Sequence, residues 1–228
     1  MPPEEVAAIA VEPVQGEGGY VIPPRNFFPR LRELADKHGI LLIFDEVQCG
    51  MGRTGKMWAC DHFGVAPDIL ITAKGIASGL PLSATIARAD VMNWGPGAHA
   101  STFGGNPVAC AAAIETIRLL EEKYIANAAK MGEYILGSIA DWREKHPIVG
   151  DIRGLGLMVG IELVKSQQTR EPHPEARKKI IQRAFEQGVL VLGCGESTVR
   201  FMPPLLVERG QIDFALEVLE KCVAEVER

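Results

Sequence analysis

Two short apolar runs, each followed by a chemically capable residue, constrain the fold of this chain more than any other feature. The first covers residues 40–44 and ends at Asp45, and the second covers residues 69–73 and ends at Lys74. Each run is too short for a globular helix, which favours strands buried on both faces of a parallel sheet. Ligands bind at the edge formed by the carboxyl ends of such strands. The sequence therefore predicts Asp45 and Lys74 at a ligand-binding edge.

A third apolar run, residues 7–11, ends in the same way at Glu12 and Pro13. Proline lacks the N–H that a further ladder hydrogen bond would need, so the strand stops there. We therefore expect Glu12, Asp45 and Lys74 to share one edge. The alternative is that all three are solvated charges at strand ends. Three together among glycine-rich loops favour a site.

Composition narrows the class of ligand. The chain has 228 residues, 47% of them hydrophobic and 23% charged, which is typical of one large globular domain or two small ones. The net charge of -5, without a long basic run, argues against nucleic-acid and membrane partners and favours small molecules. The 5 cysteines are widely spread and show no metal-binding spacing. We expect a soluble, cytoplasmic protein with no metal site.

Periodicity predicts the other elements of the first half. Asn26 and Gly39 fit the start and end of a helix, and residues 82–87 form a short strand. Asn106 followed by proline predicts the start of a second helix. Its expected apolar stripe is Ala111, Ile114, Ile117 and Leu120.

The second half has a different character. A polar helical pattern runs from Glu122 to about Lys145, and a strand is predicted over residues 154–164. A helix at 176–187 and strands at 189–192 and 198–202 follow. The last helix keeps one apolar face, formed by Ile212, Ala215, Leu219, Cys222 and Val226. We predict an α/β fold with a parallel-rich sheet over residues 1–125 and a small α+β domain over residues 126–228.

The glycine-rich stretch from Gly50 to Lys56, GMGRTGK, matches the G-x-G-x-x-G pattern and nearly matches a nucleotide-binding phosphate loop. Met57 replaces the hydroxyl residue that would bind magnesium. The acidic residue precedes the loop instead of following it, and the loop does not lead directly from a strand into a long helix. We therefore reject both nucleotide-binding interpretations.

A lysine and an aspartate at neighbouring strand ends suit one cofactor in particular. A lysine amine condenses with an aldehyde to form a Schiff base, and pyridoxal phosphate uses this bond together with a carboxylate on its pyridine nitrogen. The lysine can also carry the proton removed from the substrate's α-carbon. On residue types alone, a structural ion pair between Lys74 and Asp45 is an equal alternative.

Longer motifs resemble a known family. They are EPVQGEGG from Glu12, LIFDEVQCGMGRTGK from Leu42, PDILITAKG from Pro67 and STFGGNPVA from Ser101. In this order they resemble class III pyridoxal-phosphate aminotransferases of the 4-aminobutyrate and ornithine type. The resemblance continues through RGLGLMVGIEL from Arg153 and VRFMPPL from Val199, so it covers nearly the whole chain. It implies part of the fold type I large domain followed by the small domain.

The resemblance also implies roles for individual residues. Lys74 would be the Schiff-base lysine and Asp45 the partner of the pyridinium nitrogen. Val47 and Gln48 would pack beside the ring and its phenolic oxygen. Thr102 would reach the cofactor phosphate of a neighbouring subunit in a homodimer.

Two further roles concern the substrate. Arg200 would hold a substrate carboxylate through two parallel hydrogen bonds, as guanidinium geometry favours. Glu12 would pair with an active-site arginine when an ω-amino substrate is bound.

The resemblance begins about halfway through the family's usual pattern, so we expect a fragment of a longer enzyme. The parent would transfer an amino group from an ω- or α-amino acid to a 2-oxo acid such as 2-oxoglutarate. Two alternatives stay open: an amino-acid racemase or epimerase of the same fold, and a non-catalytic truncated remnant.

Overall fold

The computed structural model of the protein describes residues 2–227 and divides them into two compact units. The first unit contains residues 2–13, 23–52 and 56–123, and the second contains residues 14–22, 53–55 and 124–227. The segments 14–22 and 53–55 lie within the first predicted domain, yet they cluster with the second unit. Among residues 2–227, no helix combines the length and apolar character needed to cross a bilayer.

The first unit is built on a four-stranded sheet with the order β1-β2-β3-β4. The strands β1, β2 and β3 are parallel, as the apolar runs predict, and β4 is antiparallel to β3. Their bounds are Ala8–Val11, Leu41–Asp45, Ile69–Thr72 and Ala84–Ala87.

Burial alternates along β2, so the expectation of strands buried on both faces is wrong. Leu42 and Phe44 are fully buried, whereas Leu41 and Ile43 are half-buried. Leu42 and Phe44 belong to a core cluster on one face of the sheet, to which helix α1 (Phe27–His38) contributes Phe28. The Phe28 ring lies edge-on to the Phe44 ring, with 5.0 Å between centroids.

The sequence predicted the end of α1 correctly but not its start. Gly39 takes the left-handed conformation after the last turn, with φ 67°, as predicted. Asn26 precedes the first turn, but its side chain makes no capping hydrogen bond, so the predicted cap is wrong. Its helical backbone (φ -87°, ψ -2°) differs from the extended conformation that a capping residue typically adopts.

At the amino end of β3, buried Asp68 ties several elements of the first unit together. Its carboxylate accepts the Leu42 N–H at 2.7 Å and pairs with Arg32 at 2.8 Å and with Arg88 at 2.8 Å. Burial alone raises the pKa of Asp68, but the Leu42 N–H and the two arginines outweigh it and hold that pKa below its usual range.

Helix α2 (Pro107–Leu119) begins as predicted, because the Asn106 side chain accepts the Ala109 N–H at 2.9 Å. Three of the four residues of its predicted apolar stripe are exposed, Ala111, Ile114 at 72% and Ile117 at 37%, whereas Leu120 is buried at 3%. A π-helical turn (Leu120–Tyr124), α3 (Ile125–Ser138) and the short α4 (Trp142–Lys145) follow, in place of one long polar helix.

The second unit holds an antiparallel sheet with the order β5-β6-β8-β7. The strands are β5 (Val149–Leu155), β6 (Met158–Leu163), β7 (Leu192–Cys194) and β8 (Thr198–Phe201). The single strand predicted over residues 154–164 is wrong: Gly156, with φ 52°, reverses the chain between β5 and β6. The strand predicted at 189–192 lies further along the chain, at β7.

Helix α5 (Pro174–Glu186) packs on β6, β7 and β8, and α6 (Arg209–Val226) packs against α5. The predicted apolar face of α6 is confirmed, since Ile212, Leu219 and Cys222 are buried in the core. The second unit is therefore the α+β arrangement that the sequence predicts.

Candidate active site

Asp45 is the last residue of β2 and lies on the half-buried face of the first sheet. Its Oδ1 atom accepts the N–H of Val47 at 2.9 Å, which fixes the turn after the strand. A carboxylate has acceptor capacity beyond one such bond. This hydrogen bond therefore orients Asp45, and the carboxylate can still accept a second hydrogen bond from a protonated ring nitrogen.

Lys74 follows β3 by two residues and begins a short 3₁₀ turn. Its backbone is left-handed, with φ 42°, and the residue is exposed. Asp45 pairs with Ile71 in the ladder, and the Glu46 N–H donates to the Ile71 carbonyl at 2.9 Å. Strand spacing and chain length then keep the Cα atoms of Asp45 and Lys74 within about 12 Å of each other.

Glu12 joins the same edge from the other side of β2. Val11 pairs with Phe44, so the register continued by one residue places Glu12 beside Asp45. Both residues are half-buried and both have the side-chain parity of Ala10, on the face opposite the core. The structure thus brings Glu12, Asp45 and Lys74 to the carboxyl ends of three adjacent parallel strands, as predicted from the sequence.

Glu46 has a structural role that the sequence reasoning missed. Its side chain is fully buried, and its carboxylate accepts the N–H groups of Ala59 at 2.9 Å and Cys60 at 2.8 Å. The Cys49 thiol donates to it at 3.2 Å. Burial raises the pKa of Glu46, although the two backbone N–H groups act to lower it. The alternation that buries Leu42 and Phe44 was the available signal, since it places Glu46 on the same face.

Gln48 and Thr102, two further predicted site residues, lie in segments that differ in burial. Gln48 lies half-buried in the turn after β2, next to Val47. Thr102 lies in the exposed connection between β4 and α2. The glycine-rich stretch after Gln48 forms turns that lead to a short 3₁₀ helix at Ala59–His62. That geometry agrees with the rejection of a nucleotide-binding loop, which would open a long helix.

Arg200 belongs to the second unit, where β8 carries it. Its side chain is 15% exposed and forms an ion pair with Glu17, with 2.5 Å between Nη1 and Oε1. Burial acts to lower the pKa of Arg200, but the hydrogen bond and charge of Glu17 prevail and the pKa is raised. Sequence reasoning missed Glu17, although it stands in the same EPVQGEGG motif as Glu12.

The side chains at the edge of the first sheet suit the cofactor that the resemblance implies. Asp45 offers an oriented carboxylate for a pyridinium nitrogen, and Lys74 offers an exposed primary amine for an aldehyde. On the same face of the sheet, β1 carries the small residues Ala8 and Ala10, which pair with Leu41 and Ile43, and Ala10 is exposed.

Comparison with known proteins identifies the family. The model of the class-III aminotransferase family matches residues 2–223. A leucine/methionine racemase of Thermococcus litoralis is 44% identical over 97% of the chain and 51% of the relative. The 4-aminobutyrate aminotransferase GabT of Escherichia coli is 42% identical over 99% of the chain and 54% of the relative. The chain spans about half the length of the curated relatives it matches.

Solved structures give the same result for the fold. A transaminase from the marine bacterium Virgibacillus superposes with a TM-score of 0.94 at 33% identity, covering 99% of this chain and 54% of that one. An amine transaminase from an uncultivated Pseudomonas species, described in its PLP-bound form, gives 0.92 at 40% identity, with 99% and 53% coverage. The predicted partial fold type I architecture is confirmed. Class III aminotransferases depend on pyridoxal phosphate, and this chain belongs to the class-III aminotransferase family.

Proposed function

We propose that this chain forms the cofactor-lysine part of a pyridoxal-phosphate-dependent aminotransferase. The observation that supports it best is the placement of Asp45 and Lys74 after adjacent parallel strands, in a chain that belongs to this family. Residues 1–125 would be the later part of the cofactor-binding large domain, and residues 126–228 the small domain.

Bound pyridoxal phosphate supplies an aldehyde carbon and an electron-withdrawing pyridinium ring. Asp45 would keep the ring nitrogen protonated, because its oriented carboxylate would stabilise the positive charge. Lys74 would hold the cofactor through Nζ and would then carry the proton removed from the substrate's α-carbon. Val47 and Gln48 lie in the turn beside Asp45 and would contact the ring and its phenolic oxygen.

Three residues account for the substrate and the assembly. Arg200 would bind a substrate carboxylate, and Glu12 would pair with an active-site arginine when an ω-amino donor is bound. Thr102 would contact the cofactor phosphate of the partner subunit in a homodimer. The names of two relatives, a 4-aminobutyrate aminotransferase and an acetylornithine aminotransferase, support a donor of the 4-aminobutyrate or ornithine type. A 2-oxo acid such as 2-oxoglutarate would be the acceptor, and the expected setting is the cytoplasm.

Racemisation is a second candidate, because a leucine/methionine racemase and an alanine/serine racemase are among the similar relatives. Both reactions begin with removal of the α-proton. They would differ in whether the proton returns to the α-carbon, which racemisation requires and transamination does not. Formation of a 2-oxo acid from the amino donor supports transamination, and inversion of a chiral amino acid without 2-oxo acid supports racemisation.

The cofactor assignment can be tested without turnover. Purified chain is mixed with pyridoxal phosphate, its visible absorbance is followed, and borohydride then fixes any covalent bond for peptide mapping. We expect the label on Lys74 and its loss in Lys74→Ala, whereas Lys56→Ala, which removes another exposed lysine of the first unit, keeps it. Asp45→Asn should weaken cofactor binding. A label on other lysines, or none, would favour the non-catalytic remnant.

A further inference from the structure

Strand β7 forms an open edge of the second sheet. In the order β5-β6-β8-β7 it has β8 on one side, and its other side is the end of the sheet. Among residues 2–227, no further backbone segment forms a hydrogen bond with Leu192 or Gly193. The segment 14–22 meets the chain only beyond β7, where the Gly195 N–H donates to the Glu17 carbonyl at 2.7 Å. Such an edge presents N–H and C=O groups to which another strand can pair.

Helix α5 lies against this edge strand with one particular side. A Cβ atom on Gly193 would lie 3.0 Å from the Arg177 Cδ atom, so the Arg177 side chain lies directly over β7. Its Nη1 atom also donates to the Gly195 carbonyl at 2.9 Å. Arg177, Ile181 and Phe185 follow one another at four-residue spacing and therefore share one side of the helix. This side borders the open edge.

A cavity of about 380 Å³ lies between the start of α5 and β7. Its lining residues come from both elements and are Pro174, Glu175, Arg177, Lys178, Ile181 and Gly193. Two of them are cations and one is an anion, so the lining carries a net positive charge. Lys178 is exposed, and its amine is free to meet a ligand at the mouth of the cavity.

The two faces of the sheet differ at this edge. Leu192 pairs with Arg200 and Gly193 pairs with Val199, so positions 192 and 193 belong to opposite faces. The face of Gly193 carries the cavity with its cations. On the other face, the Leu192 side chain is 50% exposed at the end of the sheet. A strand added beside β7 would place its successive side chains alternately on these two faces.

We propose that β7 is a docking edge for an extended peptide in which acidic and apolar side chains alternate. The peptide adds a fifth strand to the sheet, places its acidic side chains beside Arg177 and Lys178, and covers Leu192 with its apolar ones. Charge argues against a second copy of this chain, because pairing two β7 strands would bring the cations of both copies to one edge. The proposal does not depend on the proposed function, since peptide binding requires neither cofactor nor turnover.

The test is a titration of a fluorescent peptide with the full chain, followed by polarisation. The peptide has about six residues, which alternate between leucine and aspartate and match the length of an edge strand. Lys178→Glu reverses a charge in the cavity lining, so we expect the Kd to rise about tenfold through a lost ion pair and a new repulsion. Lys179→Glu makes the same change on the same helix, outside the lining, and should alter the Kd by less than about twofold.

Modified peptides separate strand pairing from attraction by charge alone. An added strand turns the N–H groups of every second residue toward its neighbour. Methylation of the backbone nitrogens of all leucines, or of all aspartates, should therefore abolish binding in one case and preserve it in the other. A peptide of the same composition, with all leucines before all aspartates, should bind about tenfold more weakly, because it cannot match the two faces.

The proposal is wrong if the alternating peptide does not bind the natural chain, if both methylated peptides bind equally, or if Lys178→Glu changes the Kd no more than Lys179→Glu. Sedimentation of the natural chain tests the competing occupant, and a dimer that excludes the peptide would also refute the proposal. Melting curves identify any variant that fails to fold. A misfolded Lys178→Glu is replaced by Lys178→Gln, for which the loss of charge without repulsion predicts a rise in Kd of about threefold.

Discussion

Glu46 provides the sharpest test of how the first unit is held together. Its carboxylate lies in the core and accepts two backbone N–H groups, from Ala59 and Cys60, that start the 3₁₀ helix at Ala59–His62. The substitution Glu46→Gln keeps the shape and one acceptor oxygen, and it turns an amide NH₂ toward the second N–H. One of the two buried N–H groups then loses its acceptor.

The expected loss of unfolding free energy follows from the burial of the two N–H groups. Ala59 is fully buried and Cys60 is 4% exposed, so water cannot replace the lost acceptor at either N–H group. An unsatisfied buried donor of this kind lowers the free energy of unfolding by about 1–3 kcal/mol. Under acid conditions both side chains are neutral, but the hydroxyl oxygen of the protonated Glu46 carboxyl can still accept an N–H, whereas the amide NH₂ of glutamine cannot, so we expect a loss of that size there.

The pH dependence has a definite sign. The pKa of Glu46 in the folded chain lies above its ordinary value of 4.5, because burial disfavours the carboxylate. The folded chain therefore binds this proton more tightly than the unfolded chain does. The stability that Glu46 contributes is fully present below pH 4.5 and is lost as the pH rises through the folded-state pKa. The difference in free energy of unfolding between the natural chain and Glu46→Gln should therefore become smaller as the pH rises.

Urea unfolding followed by tryptophan fluorescence at several pH values measures this difference, and Trp58 stands next to the affected turn. Hydrogen exchange gives the local readout, since the amide of Ala59 or Cys60 should exchange faster in the variant. Because both chains share every other titrating group, subtracting the two curves isolates position 46. A difference that grows with pH would refute the assigned direction, and unchanged exchange at both amides would refute the contact.

Three other predictions concern stability and use the same unfolding assay. Gly132→Ala should lower the free energy of unfolding by about 1–3 kcal/mol, because its Cβ would lie 2.2 Å from the Gly156 carbonyl oxygen. As the control in the same helix, the Cβ of Gly137→Ala would meet nothing within 4 Å, and this substitution should raise the free energy of unfolding by about 0.5–1 kcal/mol. Asp68→Asn should flatten the acid limb of the stability curve, since the lowered pKa of Asp68 contributes stability above its ordinary value of 3.8 that is lost as the pH falls through the folded-state pKa. Thr72→Val should stabilise the chain by about 1 kcal/mol, because the Thr72 hydroxyl is buried without a partner among the described residues, and a loss instead would show that it has one.

The sequence predicted the first sheet well because two simple signals agreed there. Continuous apolar runs indicated parallel strands, and a charged residue or proline marked the end of each run. Strand ends at Val11, Asp45 and Thr72 follow from those signals almost residue by residue. The edge that carries the candidate site is therefore predictable from the amino-acid sequence alone.

Other features could not be read from local patterns. The hairpin between β5 and β6 turns at Gly156, within a stretch whose other glycines also resemble close-packing positions in a strand. Ile114 is at helical spacing from Leu120, yet only contacts distant in sequence decide which of them is buried. Likewise, the contact of Glu17 with Arg200 joins residues 183 positions apart, which no periodicity predicts.

The adjacent carboxylates of Asp45 and Glu46 lie on opposite faces of the first sheet, and the proposed function gives them different tasks. Successive side chains of a strand point to opposite faces, so Asp45 faces the half-buried side while Glu46 enters the core. Asp45→Asn should therefore weaken cofactor binding with little change in unfolding free energy. Glu46→Gln should lower the free energy of unfolding with little change in cofactor binding, provided the turn after β2 keeps its position. If both substitutions changed stability equally, the two faces would not be independent, and the assignment of Asp45 to the cofactor would lose its structural basis.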